Sequence, residues 1–185
     1  MKVQNIFSIC AVLIMLVCID AECDGRKQEL TELFAQLKIT RSTLESREIE
    51  NQIWSIWMTS PDSESQEIID NGTAAMQSGD FKRALYLFDK LIDRVPAYAE
   101  AWNKRATLYF LMDKYVLSLK DIAETLKLEP NHFGAISGMA LIQIRMNNPV
   151  KALKYYEMAL LIGPNLTGVK ENIDKLRHQL SEDSI

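Results

Sequence analysis

The stretch AEAWNKRATLYF, residues 99–110, decides the fold, because its pattern recurs at a fixed distance along the chain. Trp102, Ala106 and Tyr109 are spaced to share one face of a helix. A small residue also stands 34 positions to either side of Ala106, at Gly72 and Ala140. This recurrence indicates a repeated unit, and it predicts that the conspicuous aromatic residues serve packing.

Three further columns keep the same step of 34 residues. They are the prolines Pro96, Pro130 and Pro164, the small residues Ala84, Ser118 and Ala152, and the bulky residues Phe88, Ile122 and Tyr156. Each unit has two amphipathic stretches joined by a turn. Small residues let two helix backbones approach closely, and each proline ends the second helix. We therefore predict three helix-turn-helix units, at residues 65–98, 99–132 and 133–164.

These columns resemble the tetratricopeptide-repeat family, which repeats a pair of helices every 34 residues. The residues standing where that family places its tryptophan, small residue, tyrosine, second small residue and closing proline are Trp102, Ala106, Tyr109, Ser118 and Pro130. The tyrosine is replaced by Ala75 and Gln143 in the other two units. The resemblance implies an all-α, right-handed solenoid of about three units.

Further helices are predicted on both flanks. Upstream, residues 22–62 carry two apolar stripes, which predict a helical hairpin docked on the first repeat. Lys38 and Glu50 occupy its small-residue positions, so it is not an ordinary repeat. Its tryptophans, Trp54 and Trp57, belong either to the core or to a surface for a partner. Downstream, residues 165–185 carry one apolar stripe, which predicts a capping helix and tail.

Residues 1–21 have the features of a signal peptide. Lys2 is followed by an uncharged run of 14 residues, Ile6–Ile19, whereas a membrane span needs about 20. We expect cleavage near Ala21 and a periplasmic or secreted protein with no membrane span, the alternative being an anchor that stays uncleaved. Cleavage leaves only Cys23, so no intramolecular disulfide is expected. The upstream block also resembles short secreted tetratricopeptide-repeat proteins of alphaproteobacteria.

Composition argues against several function classes. The net charge is −4 and no basic run is present, so we do not expect nucleic-acid binding. There is no nucleophile-elbow serine and no glycine-rich phosphate loop. Glu124, Glu129 and His132 are interpreted as a solvated turn rather than as metal ligands. We therefore expect no enzyme activity, no metal and no cofactor.

The resemblance also implies a binding surface, because the first helices of such repeats line a concave groove for peptides. The groove residues it implies are Ile69, Thr73, Met76, Asn103, Thr107, Phe110, Ser137, Leu141 and Arg145. The family's clamp for a C-terminal carboxylate is not matched. Its positions hold Ile69, Thr73, Lys104, Gly134 and Gly138.

Three small residues, Gly134, Ser137 and Gly138, open the first helix of the third unit. Each glycine costs about 1 kcal/mol relative to alanine inside a helix, so something must approach closely. Either a neighbouring helix or a peptide ligand meets this requirement, and for a ligand Arg145 would be a charged anchor.

We expect a non-enzymatic scaffold or adaptor that binds a protein or peptide. The alternatives are an accessory regulator of an envelope enzyme and an enzyme with an unrecognised site. The sequence identifies neither the partner nor the oligomeric state.

Overall fold

The computed structural model describes residues 25–182. Over this range the chain forms nine helices and no strand. They are α1 (25–39), α2 (Thr43–Met58), α3 (Ser63–Gln77), α4 (Phe81–Arg94), α5 (Ala99–Leu111), α6 (Tyr115–Leu128), α7 (Phe133–Arg145), α8 (Pro149–Ile162) and α9 (Val169–Glu182). The all-α solenoid predicted from the repeat is confirmed. The predicted signal peptide, its cleavage site and all three cysteines lie outside the described residues.

Helices α3 to α8 form three antiparallel pairs that stack side by side. The first helices of successive pairs touch each other, α3 against α5 and α5 against α7, so they form the inner layer of the stack. The small-residue columns lie where the helices are closest. A Cβ on Gly72 would lie 2.6 Å from Phe88 Cε1, and Ala84 and Ala140 are fully buried.

The turn inside each pair has the same backbone conformation. Gly79, Asp113 and Asn147 follow one another at the repeat spacing and have φ values of 82°, 56° and 57°. This left-handed region is accessible to glycine and tolerated by aspartate and asparagine. In the third unit Pro149 then occupies the first helical turn, where its missing N–H is not needed.

The aromatic stretch 99–110 fastens α5 to its neighbours. Trp102 donates its indole N–H to the carbonyl of Pro96 at 2.9 Å. The guanidinium of Arg105 lies over the rings of Trp102 and Tyr109, at 5.1 and 5.7 Å from their centroids. Its nitrogens also pair with Asp89 on α4 and Asp121 on α6. The conspicuous residues of this stretch therefore serve packing, as predicted.

The predicted place of the N-terminal hairpin is wrong. Helices α1 and α2 do not extend the stack beyond the first repeat. Helix α2 contacts α5 of the second repeat, and both helices share a core with the third repeat and the C-terminal region. Leu37 packs on Gly163, where a Cβ would lie 2.8 Å from Leu37 Cγ. The carboxylate of Glu50 accepts hydrogen bonds from the backbone N–H and hydroxyl of Thr167. The hairpin thus joins the core formed with α7, α8 and α9.

Helix α9 covers the end of the stack. It packs on α8 through Val169, Ile173 and Leu176, all buried, and Arg177 pairs with Glu157 across the junction. Within residues 25–182, no helix combines the length and the apolar character needed to cross a membrane.

Candidate functional site

Helix α7 begins at a fully buried histidine. The Nδ1 atom of His132 accepts the backbone N–H of Ala135 at 3.1 Å and so caps the helix. Because Nδ1 is an acceptor, the proton of the neutral ring lies on Nε2. That atom donates to Oε2 of Glu100 at 3.0 Å, and neither side chain is exposed to solvent. The earlier interpretation of this histidine as part of a solvated turn is wrong.

The buried carboxylate of Glu100 has three partners. Besides His132 it receives the amide of Asn103 at 3.1 and 3.2 Å and the ammonium of Lys104 at 3.3 Å. A buried charge is tolerated only when it is paired and hydrogen-bonded in this way. The cluster joins α5 to the turn that precedes α7. It also leaves Lys104 neutralised by a neighbour.

The hairpin packs on this histidine. The ring of Trp57 stacks on His132 with 4.0 Å between centroids and 7° between planes. Trp54 packs edge to face against the same imidazole, with 5.4 Å between ring centroids. It packs in the same way against Phe133, with 5.6 Å between centroids. Of the two interpretations open from the sequence, the core interpretation therefore holds for Trp57, which is 5% exposed, whereas Trp54 is partly buried and packs against the same core.

Trp54 also explains one of the glycines in α7. A Cβ on Gly134 would lie 2.7 Å from Cη2 of Trp54, closer than side chains normally approach. This glycine is needed for contact with a neighbouring helix, and α2 is that neighbour. The indole consequently covers the inner layer at the start of α7.

Beyond Trp54, α5 and α7 enclose a small pocket of about 150 Å³ on the inner face of the stack. Its walls are Asn103, Ala106, Thr107, Phe110, Ser118, Ile122, Gly134, Ala135, Ser137, Gly138 and Leu141. Most of this lining is apolar. Five of the nine groove residues implied by the resemblance meet here: Asn103, Thr107, Phe110, Ser137 and Leu141.

Arg145 lies next to this pocket. Its guanidinium is 5.7 Å from the centroid of Phe110, one of the pocket walls. It forms no salt bridge with any residue of the 25–182 range. The structure therefore places a cation at the rim of the pocket, and its role as a charged anchor stays a prediction.

The three groove residues implied on α3 are not part of the pocket. Ile69 is fully buried in the core of the first repeat, so its assignment to a ligand surface is corrected. Because its side chain is enclosed by the protein, it cannot contact a ligand. Thr73 and Met76 are partly buried on the same helix, and Met76 packs against that core. The candidate site is thus confined to the second and third repeats.

Burial perturbs several ionisable groups near the hairpin. Glu129, in the turn before His132, has a raised pKa because burial disfavours its charged form. The positive charge of the nearby Lys27 opposes this rise. Burial likewise raises the pKa of Tyr98 to about 12. Among the residues described, no three His, Cys, Asp or Glu side chains converge as a metal site would require.

The buried His132 could have been inferred from the repeat. Its equivalents one unit away are Tyr98 and Leu166, and all three are buried. The same position of each connection after a repeat therefore points into the core. The sequence contains this column, but its members share no chemistry, so it does not stand out as the proline column does.

Comparisons with known proteins agree with the architecture. The chain is 37% identical over 155 residues to a TPR repeat-containing protein of Rhizobium etli, an alignment that covers 84% of this chain and 76% of that relative. No family model matches the sequence.

Solved structures with the same arrangement of helices are TPR domains. The Sgt2 TPR domain from Aspergillus fumigatus superposes with a TM-score of 0.61 at 20% identity, covering 68% of this chain and 84% of that one. The first TPR of Spaghetti (RPAP3), bound to the HSP90 peptide SRMEEVD, gives 0.59 at 21% identity, with 65% and 96% covered. The TPR2B domain of yeast Sti1, in complex with an Hsp70 peptide, gives 0.58 at 19%, with 66% and 99% covered. At these identities the likeness concerns the fold.

Proposed function

Because the chain belongs to the tetratricopeptide-repeat family, we propose that it is a non-enzymatic module that binds a peptide or protein segment on the inner face of its solenoid. The observation that carries this proposal is the pocket between α5 and α7. It brings together five residues from two repeats that the family pattern assigns to a groove. Two structural neighbours hold chaperone peptides, which supports a peptide as the class of ligand.

The ligand differs in chemistry from a chaperone tail held by a carboxylate clamp. Of the clamp positions, Ile69 is buried, Gly134 is covered by Trp54, and Lys104 is paired with Glu100. None of these can hold a terminal carboxylate in the structure. The inner face is therefore proposed to recognise a different peptide.

We further propose that the protein acts outside the cytoplasm, as a periplasmic or secreted scaffold or adaptor. This proposal rests on the N-terminal sequence, where a lysine precedes an uncharged run of 14 residues. Mass spectrometry of the protein purified from its own cells tests it. A mature N-terminus close to Ala21 is expected, and an intact Met1 in a soluble cytoplasmic fraction would contradict export.

The binding proposal is tested by selecting peptides from a random phage library on the purified protein. Leu141 is 42% exposed in the pocket wall, so Leu141→Arg changes the inner face with little risk to folding. Tyr86 on α4 is 68% exposed and lies outside the pocket, so Tyr86→Arg is the matched control.

We expect the selected peptides to bind the wild type and Tyr86→Arg equally. Binding to Leu141→Arg should weaken at least about tenfold, a loss of about 1.4 kcal/mol. Failure to select any peptide would overturn the proposal, as would peptides that bind all three proteins alike.

A further inference from the structure

The pocket between α5 and α7 is sized for one side chain. Its volume is about 150 Å³, whereas sites for whole cofactors and drug-sized ligands occupy about 300–1,000 Å³. A cavity of this order holds a group the size of a benzene ring. An isobutyl or phenyl side chain is therefore the largest group it can take.

Three of the four polar side chains in the pocket wall already have hydrogen-bond partners within the protein, whereas the hydroxyl of Ser137 has none among residues 25–182. Ser118 donates to the carbonyl of Ala106 at 2.7 Å, and Thr107 donates to that of Asn103 at 3.0 Å. The amide of Asn103 is directed to Glu100. Since these donors are used, a polar group entering the pocket would find only the Ser137 hydroxyl to replace its hydrogen bonds to water. The lining consequently favours an apolar occupant.

Gly138 lines this pocket, although packing within the protein does not require a glycine at this position. A Cβ at this position would lie 3.5 Å from Cδ1 of Ile122, an ordinary van der Waals contact. Gly134, four residues earlier, differs because Trp54 leaves no room for a Cβ. The glycine at 138 therefore lowers helix stability without relieving a clash, and the space it leaves belongs to the pocket.

Charge defines the rim. Arg145 lies over Phe110 and has no carboxylate partner among residues 25–182, whereas the other cation near the pocket, Lys104, is bound to Glu100. The opposite end is closed by Trp54 over Gly134. A ligand that fills the pocket thus meets a positive charge at the open end only.

We propose, on the basis of the peptide-binding function above, that the pocket receives one aliphatic or aromatic side chain of a peptide and that Arg145 binds an aspartate or glutamate of the same segment. The spacing follows from the helix. Gly138 and Arg145 are seven residues apart, which corresponds to about 10 Å along α7. An extended peptide covers that distance in about three residues, so the acidic residue lies within three positions of the apolar one.

A position-scanning peptide library tests this motif. It is probed with the wild type, with Ser137→Leu to fill the pocket, and with Arg145→Glu to reverse the charge at the rim. Lys151→Glu makes the same charge change at an exposed residue of α8 that lies outside this pocket, and it serves as the control.

We expect wild type and Lys151→Glu to select leucine, isoleucine, methionine or phenylalanine with an acidic residue within three positions. Arg145→Glu should keep the apolar preference and exchange the acidic one for lysine or arginine. Ser137→Leu should weaken binding of apolar peptides about tenfold or more.

The outcomes separate the two proposals. Peptides that depend on Leu141 but show no apolar preference, or whose charge preference is unchanged in Arg145→Glu, overturn this inference and leave the peptide-binding function in place. A library with no binder sensitive to Leu141→Arg overturns both.

Discussion

The indole ring of Trp57 lies parallel to the imidazole ring of His132, with 4.0 Å between their centroids. These residues are 75 positions apart, and their contact joins the N-terminal hairpin to the turn that precedes α7. His132 is in turn hydrogen-bonded to Glu100 on α5. The hairpin is thereby linked to the two helices that form the candidate pocket.

Replacing Trp57 by alanine is expected to lower the free energy of unfolding by about 3–5 kcal/mol, the usual loss for a buried tryptophan. The side chain is 5% exposed and contacts His132, Trp54 and Phe133. Trp57→Phe should cost less, because the buried indole N–H has no hydrogen-bond partner in the structure. Urea unfolding followed by far-ultraviolet circular dichroism measures both changes.

The control for this experiment is Tyr86→Ala, which truncates an aromatic side chain that is 68% exposed. It should change the unfolding free energy by no more than about 0.5 kcal/mol. Equal losses for Trp57→Ala and Tyr86→Ala would show that the hairpin is not held by the Trp57 contact.

Glu129→Gln is expected to stabilise the protein at pH 7. Burial raises the pKa of this carboxyl in the folded state above its ordinary value of 4.5, so the folded state binds more protons than the unfolded chain between those two values. Stability therefore falls as pH rises through that interval, and the loss is complete above the folded pKa. The neutral glutamine removes this loss.

Urea titrations of the wild type and Glu129→Gln at pH 7 and below pH 4 provide the measurement. The variant should be the more stable protein at neutral pH, and the difference should shrink once Glu129 is protonated in both states. A variant that is less stable at pH 7 would mean that the ionised carboxylate stabilises the fold through the nearby ammonium of Lys27.

Arg105 provides a test of the inter-repeat network. Its guanidinium makes two bonds to Asp121, at 2.8 and 2.9 Å, and one to Asp89 at 2.7 Å. The hydrogen bonds to the two aspartates raise the pKa of Arg105, and burial lowers it. The net change is a rise, so the guanidinium stays charged. Asp121 is only 4% exposed, so removal of its cation leaves a buried charge unpaired.

We expect Arg105→Ala to cost about 3–5 kcal/mol. Arg105→Lys should cost less, since lysine keeps the charge but cannot make the paired bonds of the guanidinium. Arg83→Ala on the exposed side of α4 is the control, with a change within about 0.5 kcal/mol. Thermal and urea unfolding give the values. If Arg105→Ala leaves the free energy of unfolding unchanged, the network has no role in stability.

The repeat could be predicted because it rests on local requirements that recur. Each intra-pair turn needs a residue that accepts positive φ, and Gly79, Asp113 and Asn147 meet that need at the repeat spacing. The position of the hairpin could not be predicted in the same way. An apolar stripe shows that a helix face is buried, but not which surface buries it. The residues that contact Trp54 and Glu50, Phe133 and Thr167, lie far along the chain.

The candidate site was predictable only where two repeats agree with the family pattern. Asn103, Thr107 and Phe110 on α5 meet Ser137 and Leu141 on α7 in one pocket. On α3 the equivalent column holds Ile69, whose side chain is drawn into the core between α3 and its neighbours. A groove position thus became a packing position because the residue there is large and apolar.

The two glycines of α7 should respond in opposite directions to the same substitution. Gly138→Ala is expected to stabilise the protein by up to about 1 kcal/mol, because alanine favours a helix more than glycine does and the new methyl group makes an ordinary 3.5 Å contact with Ile122. Gly134→Ala should destabilise it, since the new Cβ would lie 2.7 Å from Trp54, a ring already packed on His132 and Phe133. Paired urea titrations decide the signs. If Gly138→Ala raises the free energy of unfolding and weakens the binding of the selected peptides, the glycine serves ligand binding. If the free energy of unfolding falls instead, the fold itself requires a glycine at this position.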